Sequence, residues 1–245
     1  MTTAFPTGDL WVRRFHPAPS TSARLVCFPH AGGSATFYFP LATALRAAAD
    51  VLVLQYPGRQ DRYEEKGIET IAELADQAYE ALRPYADRPL TFFGHSMGSI
   101  VAFEVARRFE RDGEGPAHLF ASARRAPSAY ASENVHLRDD DGLIEEMRKL
   151  SGTDPRLLGD EDLLRMILPA LRSDYTAIET YRAPADAVVE APLTVLTGDR
   201  DPRVTPEEAH AWREHTTGPF DLKVFSGGHF YLTDHIVELA EILAG

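Results

Sequence analysis

Residues 90–101 read Leu90-Thr-Phe-Phe-Gly94-His95-Ser96-Met97-Gly98-Ser99-Ile100-Val101. This is an apolar run, then a GxSxG pentapeptide, then a helical pattern that continues to about Arg111. Glycines at both ends of the pentapeptide permit a sharp strand-to-helix turn, which lifts the serine above the sheet at a helix N-terminus. The segment therefore predicts Ser96 as a nucleophile and the Met97 N–H as a donor to an oxyanion that forms beside it.

Short β-prone runs alternate with longer helical stretches along the chain, which is typical of βα units and a parallel sheet. Seven runs are predicted strands: 11–15, 24–28, 51–55, 90–93, 118–121, 193–197 and 221–225. Continuous apolar stretches such as Val51-Leu52-Val53-Leu54 indicate central strands that helices cover on both faces. We expect an α/β fold with a mostly parallel central sheet of about seven strands.

Composition narrows the class of protein. The chain has 245 residues, which fits one α/β domain over 1–245, and 37 acidic against 25 basic residues give it a formal charge of -12. Such a charge opposes binding to nucleic acid or to an anionic membrane. A single cysteine, Cys27, excludes an internal disulfide and favours a reducing, cytoplasmic location. We expect no cofactor, no metal and, without a coiled-coil pattern, a monomer.

The strand signal vanishes between residues 129 and 182. Helical patterns replace it over about 139–150 and 160–181, the first with aspartates at its start, where carboxylates suit the helix dipole. An insertion of helices is expected to form a lid over the carboxyl edge of the sheet, where ligands bind in open α/β folds. The alternative is that these helices only cover the surface and have no role in ligand binding.

A second oxyanion donor should come from the loop after the strand that carries Cys27. That loop reads Phe28-Pro29-His30-Ala31-Gly32-Gly33-Ser34. Paired glycines let a backbone approach a ligand closely, and we choose the Ala31 N–H as the donor. A plain glycine-rich turn is the alternative, and the pair is too short for a phosphate-binding loop.

A serine hydroxyl is a weak nucleophile until a base accepts its proton. Among nine histidines, His229 is the best candidate because Gly227-Gly228-His229-Phe230 follows the last predicted strand at the edge that carries Ser96. His95 is expected to pack or hydrogen-bond locally beside the serine. The remaining histidines fit surface or packing positions better than that of a base.

The third member should be a carboxylate that follows the penultimate strand and orients the histidine. The loop Thr197-Gly198-Asp199-Arg200-Asp201-Pro202 offers two. We favour Asp201, which lies farther out on the loop, whereas Asp199 is expected to close the turn through its own backbone. The chain order is then Ser, Asp, His, as in α/β-hydrolases and unlike the chymotrypsin or subtilisin orders.

The chain resembles the stand-alone type II thioesterases that accompany polyketide and nonribosomal peptide synthetases. Seven segments carry the resemblance: Phe28-Pro-His-Ala-Gly-Gly33, Tyr56-Pro57-Gly58-Arg59, Gly94-His-Ser-Met-Gly98, Ser122-Ala-Arg-Arg-Ala-Pro127, Leu171-Arg172-Ser173-Asp174, Gly198-Asp-Arg-Asp201 and Gly227-Gly-His229. The resemblance implies an α/β-hydrolase fold with a helical lid. It also implies Ser96 as nucleophile, His229 as base and Asp201 as orienting carboxylate, with the N–H groups of Ala31 and Met97 as oxyanion hole.

The resemblance further implies a partner: an acyl or peptidyl carrier protein whose phosphopantetheine arm bears a stalled or aberrant acyl unit. Carrier proteins are generally acidic, so docking to a chain of charge -12 would need a local basic area, for which Arg59, Arg62, Arg124 and Arg125 are candidates. Alternatives are a small-molecule or lipid carboxylesterase, a cyclising synthetase domain, and a binding protein on a hydrolase scaffold that has lost activity.

Overall fold

The computed structural model describes residues 10–131, 133–150, 161–184 and 186–245. The first residue of the predicted helix 160–181 and the N-terminal end of the predicted domain lie outside these ranges. One sheet of seven strands forms the centre of the described part, in the order β1-β3-β2-β4-β5-β6-β7. Its strands are β1 Val12–Arg13, β2 Arg24–Phe28, β3 Asp50–Leu54, β4 Leu90–His95, β5 His118–Ser122, β6 Leu193–Gly198 and β7 Phe220–Phe225.

All the neighbouring strands run parallel except β1, which pairs antiparallel with β3. The α-helices of the described residues are α1 Phe39–Leu45, α2 Ile71–Leu82, α3 Met97–Arg111, α4 Asp140–Leu150, α5 Glu161–Thr180, α6 Pro206–His210 and α7 Ile236–Ala244. The predicted fold class, a mostly parallel sheet with helices, is therefore confirmed.

Alternate side chains of the central strands enter two separate apolar cores, because successive residues of a strand point to opposite faces. Val26 and Phe92 belong to the core that α2 and α3 cover, whereas Cys27 and Phe93 belong to the core that α1 and α7 cover. Residues of β2 and of β3 are all buried, as their continuous apolar sequence predicts for strands covered on both faces. This double cover leaves the carboxyl ends of the strands as the edge open to a ligand.

The insertion contains helices where the sequence predicts them. Helix α4 covers nearly the whole of 139–150, and α5 covers most of 160–181. No helix of the described residues is long and apolar enough to cross a membrane.

Candidate active site

Ser96 lies between β4 and α3 with a backbone φ of 54°, a value that residues other than glycine rarely adopt. The turn is crowded on its inner side. A Cβ on Gly98 would lie 1.9 Å from the carbonyl oxygen of Phe28, and one on Gly94 would lie 2.2 Å from the carbonyl oxygen of Gly98. Both glycines are therefore required by close packing of backbone against backbone, which is the geometry of the predicted elbow.

The structure brings Ser96, Asp201 and His229 together from three distant segments. The His229 Nε2 lies 3.0 Å from the Ser96 Oγ, and the His229 Nδ1 lies 3.0 and 2.9 Å from the two carboxylate oxygens of Asp201. The side chains of His229 and Asp201 are 3% and 0% exposed. This is a continuous hydrogen-bonded path from hydroxyl to imidazole to carboxylate, the arrangement in which a histidine can accept the serine proton.

Two neighbouring aspartates on the loop after β6 have different partners. The Asp201 carboxylate faces His229 and also accepts the Arg203 N–H at 2.8 Å. The expectation that Asp199 closes the turn through its own backbone is wrong: its Oδ1 accepts the Gly227 N–H at 2.8 Å. Asp199 therefore joins the loop after β6 to the loop that carries His229, because the two parallel strands end side by side.

The loop 29–34 after β2 packs against the elbow, and we name it the oxyanion loop because the sequence predicts an oxyanion donor there. Its Gly32 N–H donates to Asp174 Oδ2 at 2.7 Å, and its Gly33 N–H donates to the His30 carbonyl at 2.9 Å. Among the described residues, the Ala31 N–H has no such acceptor. Met97 is the first residue of α3, so its N–H has no acceptor within the helix. Both donors chosen from the sequence are thus left available to a ligand.

Known proteins resemble this chain over nearly its whole length. The sequence model of the family described as Thioesterase domain matches residues 23–245. The chain belongs to the thioesterase family. A probable cadicidin biosynthesis thioesterase of Streptomyces griseus is 54% identical over 99% of this chain and 68% of its own length. Thioesterase PikA5 of Streptomyces venezuelae is 50% identical over 94% of this chain and 83% of its own length.

Solved structures give the same assignment. The type II thioesterase BorB from the borrelidin biosynthetic cluster superposes with a TM-score of 0.91 at 52% identity, over 96% of this chain and 97% of BorB. The RedJ thioesterase from the prodiginine pathway of Streptomyces coelicolor superposes with a TM-score of 0.84 at 35% identity, over 92% of this chain and 88% of RedJ. The resemblance to type II thioesterases that the sequence predicts is confirmed, and this chain is a thioester hydrolase of the α/β-hydrolase fold.

A cavity of about 450 Å³ adjoins the oxyanion loop of this thioesterase. The loop residues Ala31 and Gly32 line one side. Apolar side chains of the insertion line another: Met147 and Leu150 of α4, and Ile167 and Leu171 of α5. Phe230, the residue after His229, also lines this cavity, whereas Ser96, Met97 and His229 do not. Apolar walls of this kind suit an acyl chain.

Two further histidines of the thioesterase, His95 and His30, lie near His229. The His95 Nδ1 lies 2.9 Å from the Ser122 Oγ, which in turn lies 2.7 Å from the Tyr231 hydroxyl, so the predicted local hydrogen bond of His95 is present. Burial lowers the pKa of His95 well below its usual value, and the nearby His229 lowers it further. The pKa of His30 falls to about 3, chiefly through burial and then through His229 and Arg59. Both rings are therefore neutral at pH 7 and His229 is the histidine that contacts the serine.

The proposed basic docking area is not supported for three of its four members. Arg59, Arg62 and Arg125 are buried, and their guanidinium groups pair with carboxylates of this chain. Arg62, for example, donates to both oxygens of Glu65 at 2.7 and 2.6 Å. Burial, and then the neighbouring Arg125, lower the pKa of Arg124 to about 10. A buried cation that is paired with a carboxylate exerts little attraction on a distant acidic partner, so Arg59, Arg62 and Arg125 do not form a basic docking area.

Sequence reasoning missed the contact of Asp174 with the oxyanion loop. Asp174 and Arg59 occur in segments that carry the resemblance, Leu171-Arg172-Ser173-Asp174 and Tyr56-Pro57-Gly58-Arg59, but nothing in either segment says that the two meet. They form a buried ion pair across 115 residues of chain.

Among the described residues no group of three or more histidine, cysteine or acidic side chains is placed to hold a metal ion.

Proposed function

We propose that this thioesterase releases acyl groups from the phosphopantetheine arm of acyl or peptidyl carrier proteins, and that Ser96, His229 and Asp201 carry the reaction. The observation that carries the proposal is the hydrogen-bonded path from Ser96 through His229 to Asp201, with a partly apolar cavity on the neighbouring oxyanion loop. Relatives named as thioesterases of cadicidin and borrelidin biosynthesis support the choice of substrate.

In the first half of the reaction, the Ser96 Oγ attacks the thioester carbonyl carbon while the His229 Nε2 takes its proton. The carbonyl oxygen becomes an oxyanion, which the N–H groups of Ala31 and Met97 stabilise by about 3 to 4 kcal/mol each. The C–S bond then breaks, and His229 returns the proton to the departing sulfur. A thiol with a pKa near 8.5 leaves with little acid assistance, so the oxyanion donors bear most of the burden.

In the second half, His229 takes a proton from water, and the hydroxide attacks the acyl-serine carbonyl. Collapse of the second oxyanion releases the free acid and returns the proton to Ser96. Asp201 keeps His229 in the tautomer with the proton on Nδ1 and stabilises the imidazolium that forms twice per cycle. In this proposal the enzyme is a monomer of one domain in the cytoplasm, with the insertion 129–182 as its lid.

Hydrolysis of a panel of acyl groups, each offered on a carrier protein, on a small thiol and as an oxygen ester, tests the proposal. We expect kcat/KM to be highest on the carrier and lowest on the oxygen ester, and Ser96→Ala to abolish all three activities. Comparable rates on oxygen esters, with no gain from the carrier, would indicate a carboxylesterase instead.

A further inference from the structure

We propose that Asp174 is a positioning residue which, held by Arg59, fixes the oxyanion loop so that the Ala31 N–H faces the carbonyl group under attack. Asp174 lies on α5, in the insertion, and touches none of the three residues Ser96, His229 and Asp201 through a hydrogen bond. The inference rests on the proposed acyl-serine mechanism, and it adds a role for a residue of the insertion.

The Asp174 carboxylate makes three close contacts. Its Oδ2 accepts the Gly32 N–H at 2.7 Å and an Arg59 Nη1 hydrogen at 2.7 Å, and its Oδ1 accepts an Arg59 Nη2 hydrogen at 2.9 Å. Only about 1% of the Asp174 side chain is exposed. Two parallel N–H···O bonds from a guanidinium fix the plane of a carboxylate, which a single bond cannot do.

Arg59 is itself fixed. Its Nε and Nη2 both donate to the Pro57 carbonyl at 3.2 Å, and its Nη1 also donates to the Gly33 carbonyl at 3.0 Å. The ion pair therefore binds the oxyanion loop at two successive residues. Asp174 accepts the Gly32 N–H, and Arg59 donates to the Gly33 carbonyl.

Helix α5 is seated directly on the loop at this point. Gly32 has a φ of 71°, and a Cβ on it would lie 2.8 Å from the Leu171 Cδ1, one turn before Asp174. The Gly32 N–H belongs to the peptide plane that follows Ala31, so fixing that plane restricts the rotation of Ala31 and thereby the direction of its N–H. The N–H groups of Gly32 and Gly33 already have acceptors, whereas the Ala31 N–H has none among the described residues and is free to face a ligand.

A buried ion pair is by itself weak evidence for stability, because desolvation offsets most of the attraction. This pair instead joins α5 to the loop that would bind the oxyanion, a place where a misplacement of about 1 Å can cost about a hundredfold in rate. This part of α5 cannot lift as a lid without breaking the pair and exposing both charges.

The test compares Asp174→Asn with Asp50→Asn. Asp50 is a matched control: its carboxylate is 0% exposed, pairs with Arg14 at 2.8 Å and accepts the Ala18 N–H at 3.2 Å, but it starts β3, at the edge of the sheet opposite to Ser96. Four quantities are measured on the full chain. They are kcat and KM on a short acyl thioester of N-acetylcysteamine, the affinity for an alkyl boronic acid that forms a tetrahedral adduct on serine, and the affinity for an uncleavable thioether.

We expect Asp174→Asn to lower kcat about 10- to 100-fold and to weaken the boronic acid by a similar factor, with KM and thioether affinity changed less than about threefold. Asp50→Asn should lower the melting temperature but leave kcat and boronic acid affinity within about twofold. Arg59→Lys is the second variant, to be used if Asp174→Asn does not fold. It keeps the positive charge but loses the two parallel N–H donors, and we expect a smaller loss of kcat and of boronic acid affinity.

The proposal is overturned if folded Asp174→Asn keeps kcat within about threefold, if thioether affinity falls together with kcat, or if Asp50→Asn loses as much activity. Failure of the proposed function looks different. A wild-type enzyme that prefers oxygen esters would contradict the carrier substrate, yet the boronic acid comparison between the two variants would still report on the oxyanion loop.

Discussion

Asp199 and Asp201 lie two residues apart on one loop and have different structural roles. Asp201 turns its carboxylate toward His229, whereas Asp199 accepts the Gly227 N–H and joins the two loops. Only a carboxylate that accepts the Nδ1 hydrogen of His229 can hold that ring in the tautomer that leaves Nε2 free to take the serine proton. In the proposed mechanism the chemistry therefore depends on the Asp201 carboxylate, whereas the Asp199 carboxylate joins the two loops.

We predict that Asp201→Asn lowers kcat roughly ten-thousandfold without unfolding the protein, because an amide of the same shape favours the wrong histidine tautomer. Asp199→Asn serves as the control, since its amide oxygen can still accept the Gly227 N–H, and it should keep kcat within about threefold. Steady-state hydrolysis of one small thioester by both variants decides the matter. Equal losses would remove Asp201 from its proposed role.

The sequence predicts the location of those site residues that directly follow a strand. Ser96, Asp201 and His229 each come shortly after a strand of one parallel sheet, so the topology alone brings them to one edge. Asp174 follows no strand, and its contact with Arg59 depends on how α5 packs against the loops that follow β2 and β3. A packing angle leaves no local pattern in the sequence, which explains why the contact was missed.

The elbow between β4 and α3 is an element whose shape is set by steric exclusion. Helix α3 begins so close to β2 that a Cβ on Gly98 would meet the Phe28 carbonyl oxygen at 1.9 Å. The Ser99 Oγ lies 2.9 Å from the carbonyl oxygens of Gly94 and Ser122, which share its one hydrogen, and it accepts the Ser122 N–H at 3.0 Å. These contacts join the start of the helix to two strands. The serine is thus held by backbone contacts on both sides.

We predict that Gly98→Ala destabilises the protein by about 3 kcal/mol or more and abolishes activity, because backbone cannot yield as a flexible side chain can. Gly228→Ala is the matched control next to His229: its Cβ would lie 3.9 Å from the nearest atom, the Arg200 carbonyl oxygen. Urea unfolding of both variants is the measurement. A Gly98→Ala protein as stable as Gly228→Ala would contradict the crowding argument.

Element bounds show where local pattern stops being enough. The sequence predicts a first strand over 11–15, yet β1 contains only Val12 and Arg13, which pair with Leu54 and Val53. An edge strand forms only where its single neighbour offers partners, and apolar character does not report that. The central strands, with partners on both sides, match their predicted bounds within one or two residues.

For the whole molecule, buried histidines link stability to pH. His95 is 0% exposed, and burial followed by the effects of His229 and His30 lowers its pKa well below 6.5. Below pH 6.5 the unfolded chain binds a proton at this residue that the folded chain does not. The stability that the neutral ring contributes is thus complete above pH 6.5 and is lost as the pH falls.

We predict that the free energy of unfolding drops between pH 7.5 and pH 5.5, and that His95→Asn reduces this drop by on the order of 1 kcal/mol. Urea titrations at the two pH values measure it. Ser122→Ala is the control, because it removes the hydrogen-bond partner of His95 at 2.9 Å but keeps the titrating ring, and so should retain the wild-type drop. An unchanged pH dependence in His95→Asn would show that the ring is protonated in the folded state.

Net charge governs how the whole molecule would meet its proposed partner. The chain carries a formal charge of -12, and Arg59, Arg62 and Arg125 are neutralised inside it, so an acidic carrier protein should be repelled at long range. The Debye length shrinks from about 30 Å at 0.01 M salt to about 10 Å at 0.1 M, which removes most of this repulsion.

We therefore predict that kcat/KM on a carrier-bound acyl group rises by roughly two- to fivefold over that range, while kcat/KM on the same acyl group of N-acetylcysteamine changes little. A fall in kcat/KM on the carrier would instead demonstrate attraction through a local basic surface, and charge reversal of exposed arginines would then locate it.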